Sequence, residues 1–365
     1  MSLGLYLHIP YCFSKCRYCD FYSHPGERGV PDAYVDALLR ELHRFAPDAP
    51  LRPDTLYFGG GTPSYYGADR LIEIWDELRG SGRVLKSSEV TVEVNPDSAS
   101  FKELEKLHKA GFNRISRGVQ SANNDILKLI GRRHNWKQDE MAVHAAREAG
   151  FDNLSLDLIY GLPSQTKSDW ADTLMRAIEL RPEHLSCYGL TLEEGTPMYK
   201  YHGSPFLPSD DEQADMYLYA CDMLEHYGYA QYEISNFAKP GYEGKHNLIY
   251  WDCGDYLGLG PAAHSCMGGK RFYYPADTEA FLNDNAAPVL DGGCGAEDYL
   301  ILQLRLRKGL DLAEYKARYG KEFSTAQLAF VKNCVKSGYA AFDGHTLALT
   351  PAGLIVQNSI LAELL

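Results

Sequence analysis

Cys12, Cys16 and Cys19 fall within eight residues, spaced C-x3-C-x2-C, and any account of the chain must explain them. Thiolates bind soft metals, and three on one short segment can converge on one centre. A structural zinc site normally takes four ligands. A four-iron cluster has four corners, usually each held by a cysteine, so three cysteines leave one iron open to a small molecule. On this segment alone, a zinc site completed by His8 or His24, or three plain buried thiols, stand as alternatives. Cys187, Cys221, Cys253, Cys266, Cys294 and Cys334 are dispersed, and most read as small buried hydrophobes. The odd count of nine argues against a disulfide framework and for a reducing cytoplasm.

Other polar residues stand alone at the ends of apolar runs. Tyr57-Phe58-Gly59-Gly60-Gly61-Thr62-Pro63-Ser64 places consecutive glycines where a backbone can approach a ligand with its amides free to donate. In Val92-Glu93-Val94, alternation isolates Glu93, and a buried carboxylate needs a cation or hydrogen-bond donors, from an arginine or from a ligand. Gln120 can hydrogen-bond ribose hydroxyls, and Arg132 offers a fork for a carboxylate. Asp157 is a lone acid in Leu154-Ser155-Leu156-Asp157-Leu158. One polar group at the end of each successive strand is a pattern that a random core would not supply.

The elements that must position these groups alternate from residue 4 to about 190. Expected strands are Leu5–Ile9, stopped by Pro10, then Thr55–Phe58, Val90–Val94, Arg114–Ser116, Asn153–Leu158 and His184–Tyr188. Amphipathic helices are expected over Pro31–Phe45, Asp69–Arg79, Phe101–Ala110, Asn124–Ile130 with Asp139–Ala149, and Ser168–Leu180. Six such units imply a parallel sheet with right-handed crossovers, which can curve into a partial barrel. Pro205–Ser209 reads as a linker before a helix running to about His226. Residues 228–275 show short extended pieces and little helical period. From Ala296 a helix–helix–hairpin–helix order is expected, with Asp343-Gly344 as the hairpin turn. The resulting division is 1–205, 206–290 and 291–365.

A hydrophobic fraction of 45% provides a core, and a net charge of −13 disfavours nucleic-acid binding. The apolar runs fall short of the roughly 18 residues a membrane span needs, and the start has no basic signal-peptide region.

The strings YLHIPYCFSKCRYCDF, FGGGTPS, VEVNP, GVQSANN and DLIYGLPSQT, in this order, resemble the oxygen-independent coproporphyrinogen III oxidase-like (HemN-like) branch of the radical S-adenosylmethionine (SAM) family. The resemblance spans nearly the whole chain. It implies an α/β fold, a partial (β/α)6 TIM-type barrel with a small C-terminal winged-helix-like domain. It implies a [4Fe-4S] cluster on Cys12, Cys16 and Cys19. It also implies SAM contacts at Tyr6, Tyr18, Gly60, Gly61, Thr62, Glu93, Gln120, Arg132 and Asp157, and an electron donor such as flavodoxin or ferredoxin.

Two departures separate subfamilies. The coproporphyrinogen-decarboxylating enzymes carry a further cysteine two positions after the third, where this chain has Asp20-Phe21, and an N-terminal extension with no counterpart ahead of the first strand. Lys245–Trp251 instead carries HNxxYW, and with Gly254–Ser265 it is similar to the haem-chaperone subfamily. That likeness implies haem as cargo with His246 as its candidate ligand, and a haem-accepting protein as partner. The expected location is cytoplasmic, peripheral at the membrane during delivery, with a homodimer left open and no residue assigned as catalytic. A neutral imidazole can ligate haem iron, while structural hydrogen bonding by His246 is the alternative. The rivals are oxidative decarboxylation of coproporphyrinogen III and a SAM-dependent methyl transfer.

Overall fold

Six largely buried runs form parallel strands that pair in chain order: β1 (Leu3–Ile9), β2 (Thr55–Gly60), β3 (Glu89–Val94), β4 (Arg114–Gln120), β5 (Leu154–Tyr160) and β6 (His184–Gly189). The computed structural model describes residues 2–26, 31–45, 51–80, 88–96 and 98–365. Val90, Val92 and Val94 in β3, and Leu154, Leu156 and Leu158 in β5, are almost fully buried, as expected where helices cover a parallel sheet. The crossover helices are cut where the sequence signals it. Ser100, Asn135 and Thr166 each start a helix with a reciprocal capping box. Gly111, at φ 112°, closes Phe101–Ala110 in the left-handed conformation that suits glycine.

The sheet extends beyond these six strands. Beside β1 lies a seventh parallel strand, Asp255–Leu259, followed by antiparallel His264–Met267, Lys270–Tyr273 and Val289–Gly293. Beside β6 run antiparallel Asn236–Ala238 and Ala230–Gln231. Residues 206–290, expected as one extension, thus divide between the two edges of the same sheet.

Within them, Lys245–Trp251 is an α-helix, where the sequence suggests irregular chain. Gly244 at its N-cap has no side chain to offer. Glu89, at the start of β3, accepts from the amides of Lys245 and His246 at 3.2 and 3.1 Å and supplies the missing cap from the bottom of the sheet, beside Thr55. The C-terminal part follows expectation. Helices Ala296–Gln303, Leu312–Tyr319 and Thr325–Lys336 precede a hairpin, Ala340–Phe342 with Thr346–Leu349, and two short helices close the chain. Among the described residues no helix is long and apolar enough to cross a membrane.

Candidate functional site

A cavity of about 390 Å³ runs through the barrel. Cys12, Cys16 and Cys19 line it at the C-terminal ends of the strands, and Glu89, His184 and His246 line it at the opposite ends. Because the loop after β1 and the end of β6, at Tyr188, face the same space, the six strands curl into an arc. The size falls in the usual range for small-molecule sites.

The cysteine loop is tied down by backbone. Tyr11–Cys12 pairs with His24–Pro25, and the Arg17 amide donates to the carbonyl of Ile130 at 3.0 Å. All three cysteines are free and half-buried. Burial pushes up the Cys12 thiol, and that of Cys19 to about 11, with the neighbouring thiols adding to the effect. Thiolates there need a cation to form. Among the described residues, no three of His, Cys, Asp and Glu converge on a single ion. Thiolates that each meet a different corner of a cluster need not do so. His8, an alternative zinc ligand, has both ring nitrogens engaged, Nδ1 with Tyr6 Oη at 3.0 Å and Nε2 with the carbonyl of Tyr22 at 2.9 Å.

The glycine turn differs from expectation in one respect. Its amides are not free: Gly60 N–H donates to Glu93 Oε2 at 3.2 Å, and those of Gly61 and Thr62 donate to the carbonyls of Ile9 and Tyr11, each at 2.8 Å. The turn is there for close approach. A Cβ on Gly61 would lie 2.7 Å from the Tyr11 carbonyl oxygen, on backbone that cannot move aside. What such a turn presents to a ligand is carbonyl oxygen, which can accept a second hydrogen bond and suits an amine.

Glu93 accepts from Tyr57 Oη at 2.9 Å as well as from Gly60, yet burial still lifts its carboxyl to about 7. It makes no ion pair among the described residues, so the carboxylate suits a ligand amine. Gln120 adopts φ 71°, a left-handed conformation that strains a non-glycine residue, at a break in the β4–β5 register. Arg132 donates to Asn95 Oδ1 at 2.9 Å and to the carbonyl of Gly118, and its Nη1 lies 3.6 Å from Cys16 Sγ. Its buried Nε has no partner among the described residues. Asp157 accepts from Ser116 Oγ at 3.0 Å, and Ser186 and Ser155 also hydrogen-bond it; burial nonetheless raises its carboxyl. Tyr18 lines the cavity, with burial raising its phenol. Tyr6 does not line it; its ring packs behind, 6.1 Å from that of Tyr57.

His246 lies far from the cysteines. It sits beneath the starts of β1 and β2, with Nδ1 at 2.8 Å from Thr55 Oγ1, Nε2 at 2.6 Å from Tyr250 Oη, and its ring stacked on Tyr57. It is 2% exposed, and burial holds its imidazole down at about 3, so it is neutral. Neither nitrogen is free for iron in this arrangement. The helix that carries it plugs the floor of the barrel.

Sequence reading passed over Asn95, Arg114, Ser116, Ser155, Ser186 and Tyr188, all on the cavity wall. Ser116 pairs with Ser155 and Asp157 with Ser186 across adjacent strands, so the hydroxyls ring the carboxylate. The signal was present as small polar residues inside apolar strands, the same feature that marks Asp157.

Residues 6–177 match the model of the Radical SAM superfamily, and residues 296–356 that of the HemN C-terminal domain. The chain is 34% identical to the Bacillus subtilis protein curated as "Heme chaperone HemW", over 99% of this chain and 98% of that one. A protein of the same name from Lactococcus lactis is 34% identical, covering 99% and 96%, and one from Escherichia coli is 41% identical, covering 72% and 69%. The solved coproporphyrinogen III oxidase (HemN) from Escherichia coli superposes with a TM-score of 0.85 at 24% identity, covering 100% of this chain and 90% of that one, and so shares the fold. With this likeness along almost its whole length, the chain belongs to the HemW family of HemN-like radical SAM proteins.

Proposed function

We propose that the protein is a haem chaperone that holds a [4Fe-4S] cluster on Cys12, Cys16 and Cys19, binds SAM beside it, and passes haem to haem-requiring proteins. The observation that carries this reading is the near-complete coverage, in both directions, of relatives curated as haem chaperones. The donor set fits the cofactors. Three thiols line one wall, the Arg132 Nε beside them has no partner among the described residues, and Gly61 leaves a gap that a Cβ would fill. A bound cluster of this kind supplies single electrons, and SAM supplies a sulfonium that can accept one.

The chain's own residues would bind and orient. The Glu93 carboxylate takes the ligand ammonium, Gln120 and Asp157 take hydroxyls, and Arg132 adds positive charge at the cysteine loop. The His246 helix keeps water from entering through the barrel floor. Haem binding does not rest on His246 in this reading. The exposed ring of Phe21, on the cavity wall beside Cys19, offers an apolar face to a porphyrin at the open end.

The test is anaerobic. The cluster-loaded full chain is titrated with haem, then incubated with SAM, a reductant and coproporphyrinogen III. One haem per chain and no protoporphyrinogen are expected. Catalytic decarboxylation, or failure to bind haem, overturns the proposal.

A further inference from the structure

The chamber has a second polar end. Opposite the cysteines, Glu89, Arg114, His184 and Asn247 line its floor, and none of them belongs to the cluster or SAM positions. Arg114 opens β4, and it lines the chamber together with Ser116, while Ile115 between them faces the other way. Its guanidinium reaches the chain that enters the floor helix, since a Cβ on Gly244 would stand 3.8 Å from Arg114 Nη2. Arg114 is 4% exposed. Even so, no carboxylate pairs with it among the described residues, and its buried Nε has no hydrogen-bond partner among them. A guanidinium held out of water without a counter-ion is costly, and an anion at this end would supply one.

The groups around it are already engaged. Glu89 accepts the amides of Lys245 and His246. His184 holds Ser155 Oγ with Nδ1 at 2.7 Å and Tyr232 Oη with Nε2 at 2.8 Å. Burial, with Arg114 nearby, keeps the His184 imidazole well below its ordinary value, so it is neutral, as is that of His246. Arg114 is therefore the fixed cation at this end among the described residues that line the chamber. Asn247 is the other available group. It stands one turn after Gly244 on the floor helix, and its side-chain amide makes no hydrogen bond among the described residues.

We propose that Arg114 and Asn247 form a subsite at the chamber floor for the carboxylate of a small organic acid. The planar fork of the guanidinium matches the two oxygens of a carboxylate, and Asn247 Nδ2 adds a further donor. A single negative charge suits this end better than a phosphate dianion, because Glu89 and Asp157 line the same space. The acid is a free one. β4 runs from Arg114 at the floor to Gln120 at the cysteine end, roughly 20 Å, which a propionate arm on a ring at the mouth does not span. The subsite therefore does not rest on the haem reading. It also divides the roles in HNxxYW: His246 fastens the floor helix, and Asn247 faces the ligand.

The test uses the anaerobically reconstituted full chain, with propionate as probe and propionamide as its uncharged counterpart, followed by saturation-transfer NMR at neutral pH. Propionate is expected to bind saturably, with acetate competing and phosphate at equal concentration not doing so, and propionamide is expected not to bind. Arg114→Gln should weaken propionate at least about tenfold, and Asn247→Ala about threefold. Because the Asn247 amide has no other partner among the described residues, Asn247→Ala should melt with the unaltered chain, and it keeps the test open if Arg114→Gln fails to fold. No saturable propionate signal, propionamide binding as well as propionate, or phosphate competing as strongly as acetate overturns the proposal. So does propionate binding to a folded Arg114→Gln or Asn247→Ala chain with unaltered affinity.

Discussion

Glu93 shows how a single side chain can be poorly placed for the empty fold and well placed for a ligand. Its carboxyl is raised from 4.5 to about 7, with burial the largest cause. A folded value above the unfolded one favours the protonated form, so ligand-free stability falls as pH rises from about 4.5 to about 7 and stays lower above that. The change between pH 5 and pH 8 should be roughly 2 kcal/mol. Glu93→Gln, which cannot titrate, should flatten that dependence in urea melts of the ligand-free protein. SAM binding should behave oppositely, tightening as pH rises through 7 in the unaltered chain, with that dependence lost in the variant. Parallel melting profiles for the two proteins would refute this role for Glu93.

At the scale of elements, two short pieces decide whether the chamber forms. The turn after β2 lies against the cysteine loop so closely that Gly61→Ala sets a methyl group against Tyr11 backbone. Overpacking of this kind costs about 2 kcal/mol, and the displaced loop should lower iron incorporation although every thiol is still present. Iron and sulfide assays after reconstitution check this. The second piece is the Lys245–Trp251 helix. His246→Ala should lower stability by roughly 3 kcal/mol, because it opens a cavity and leaves buried Thr55 and Tyr250 hydroxyls without their partner. A variant of unaltered stability that specifically loses haem would instead restore His246 as a haem ligand.

These two pieces also mark where sequence reading stops. The six strands were legible from their apolar runs, to within a residue or two at their starts, and amphipathic periodicity marked the helices between them, although the Asn135 cap that starts one of them three residues before Asp139 went unread. The three cysteines, Glu93 and Asp157 stood out as polar interruptions. The Lys245–Trp251 helix was hidden because its cap, Glu89, lies more than a hundred residues earlier in the chain. Likewise, the engaged amides of Gly60, Gly61 and Thr62 depend on strand register, which local pattern does not reveal.

For the whole molecule, the sheet is the common frame. Its central strands build the chamber, and its floor helix reaches the C-terminal part, where Gln303 Nε2 donates to the carbonyl of Trp251 at 2.9 Å. Close structural agreement with a coproporphyrinogen III oxidase and full-length likeness to proteins curated as haem chaperones therefore concern one scaffold, and a fold alone does not choose between chemistries. The direct test of the chaperone reading is haem transfer. The haem-loaded full chain is mixed with an apo haem protein in the presence of albumin as a scavenger of free haem, and the acceptor's absorbance and activity are followed. Faster recovery than from free haem under the same conditions is predicted. Recovery no faster than from free haem, or haem retained on the donor, would contradict it.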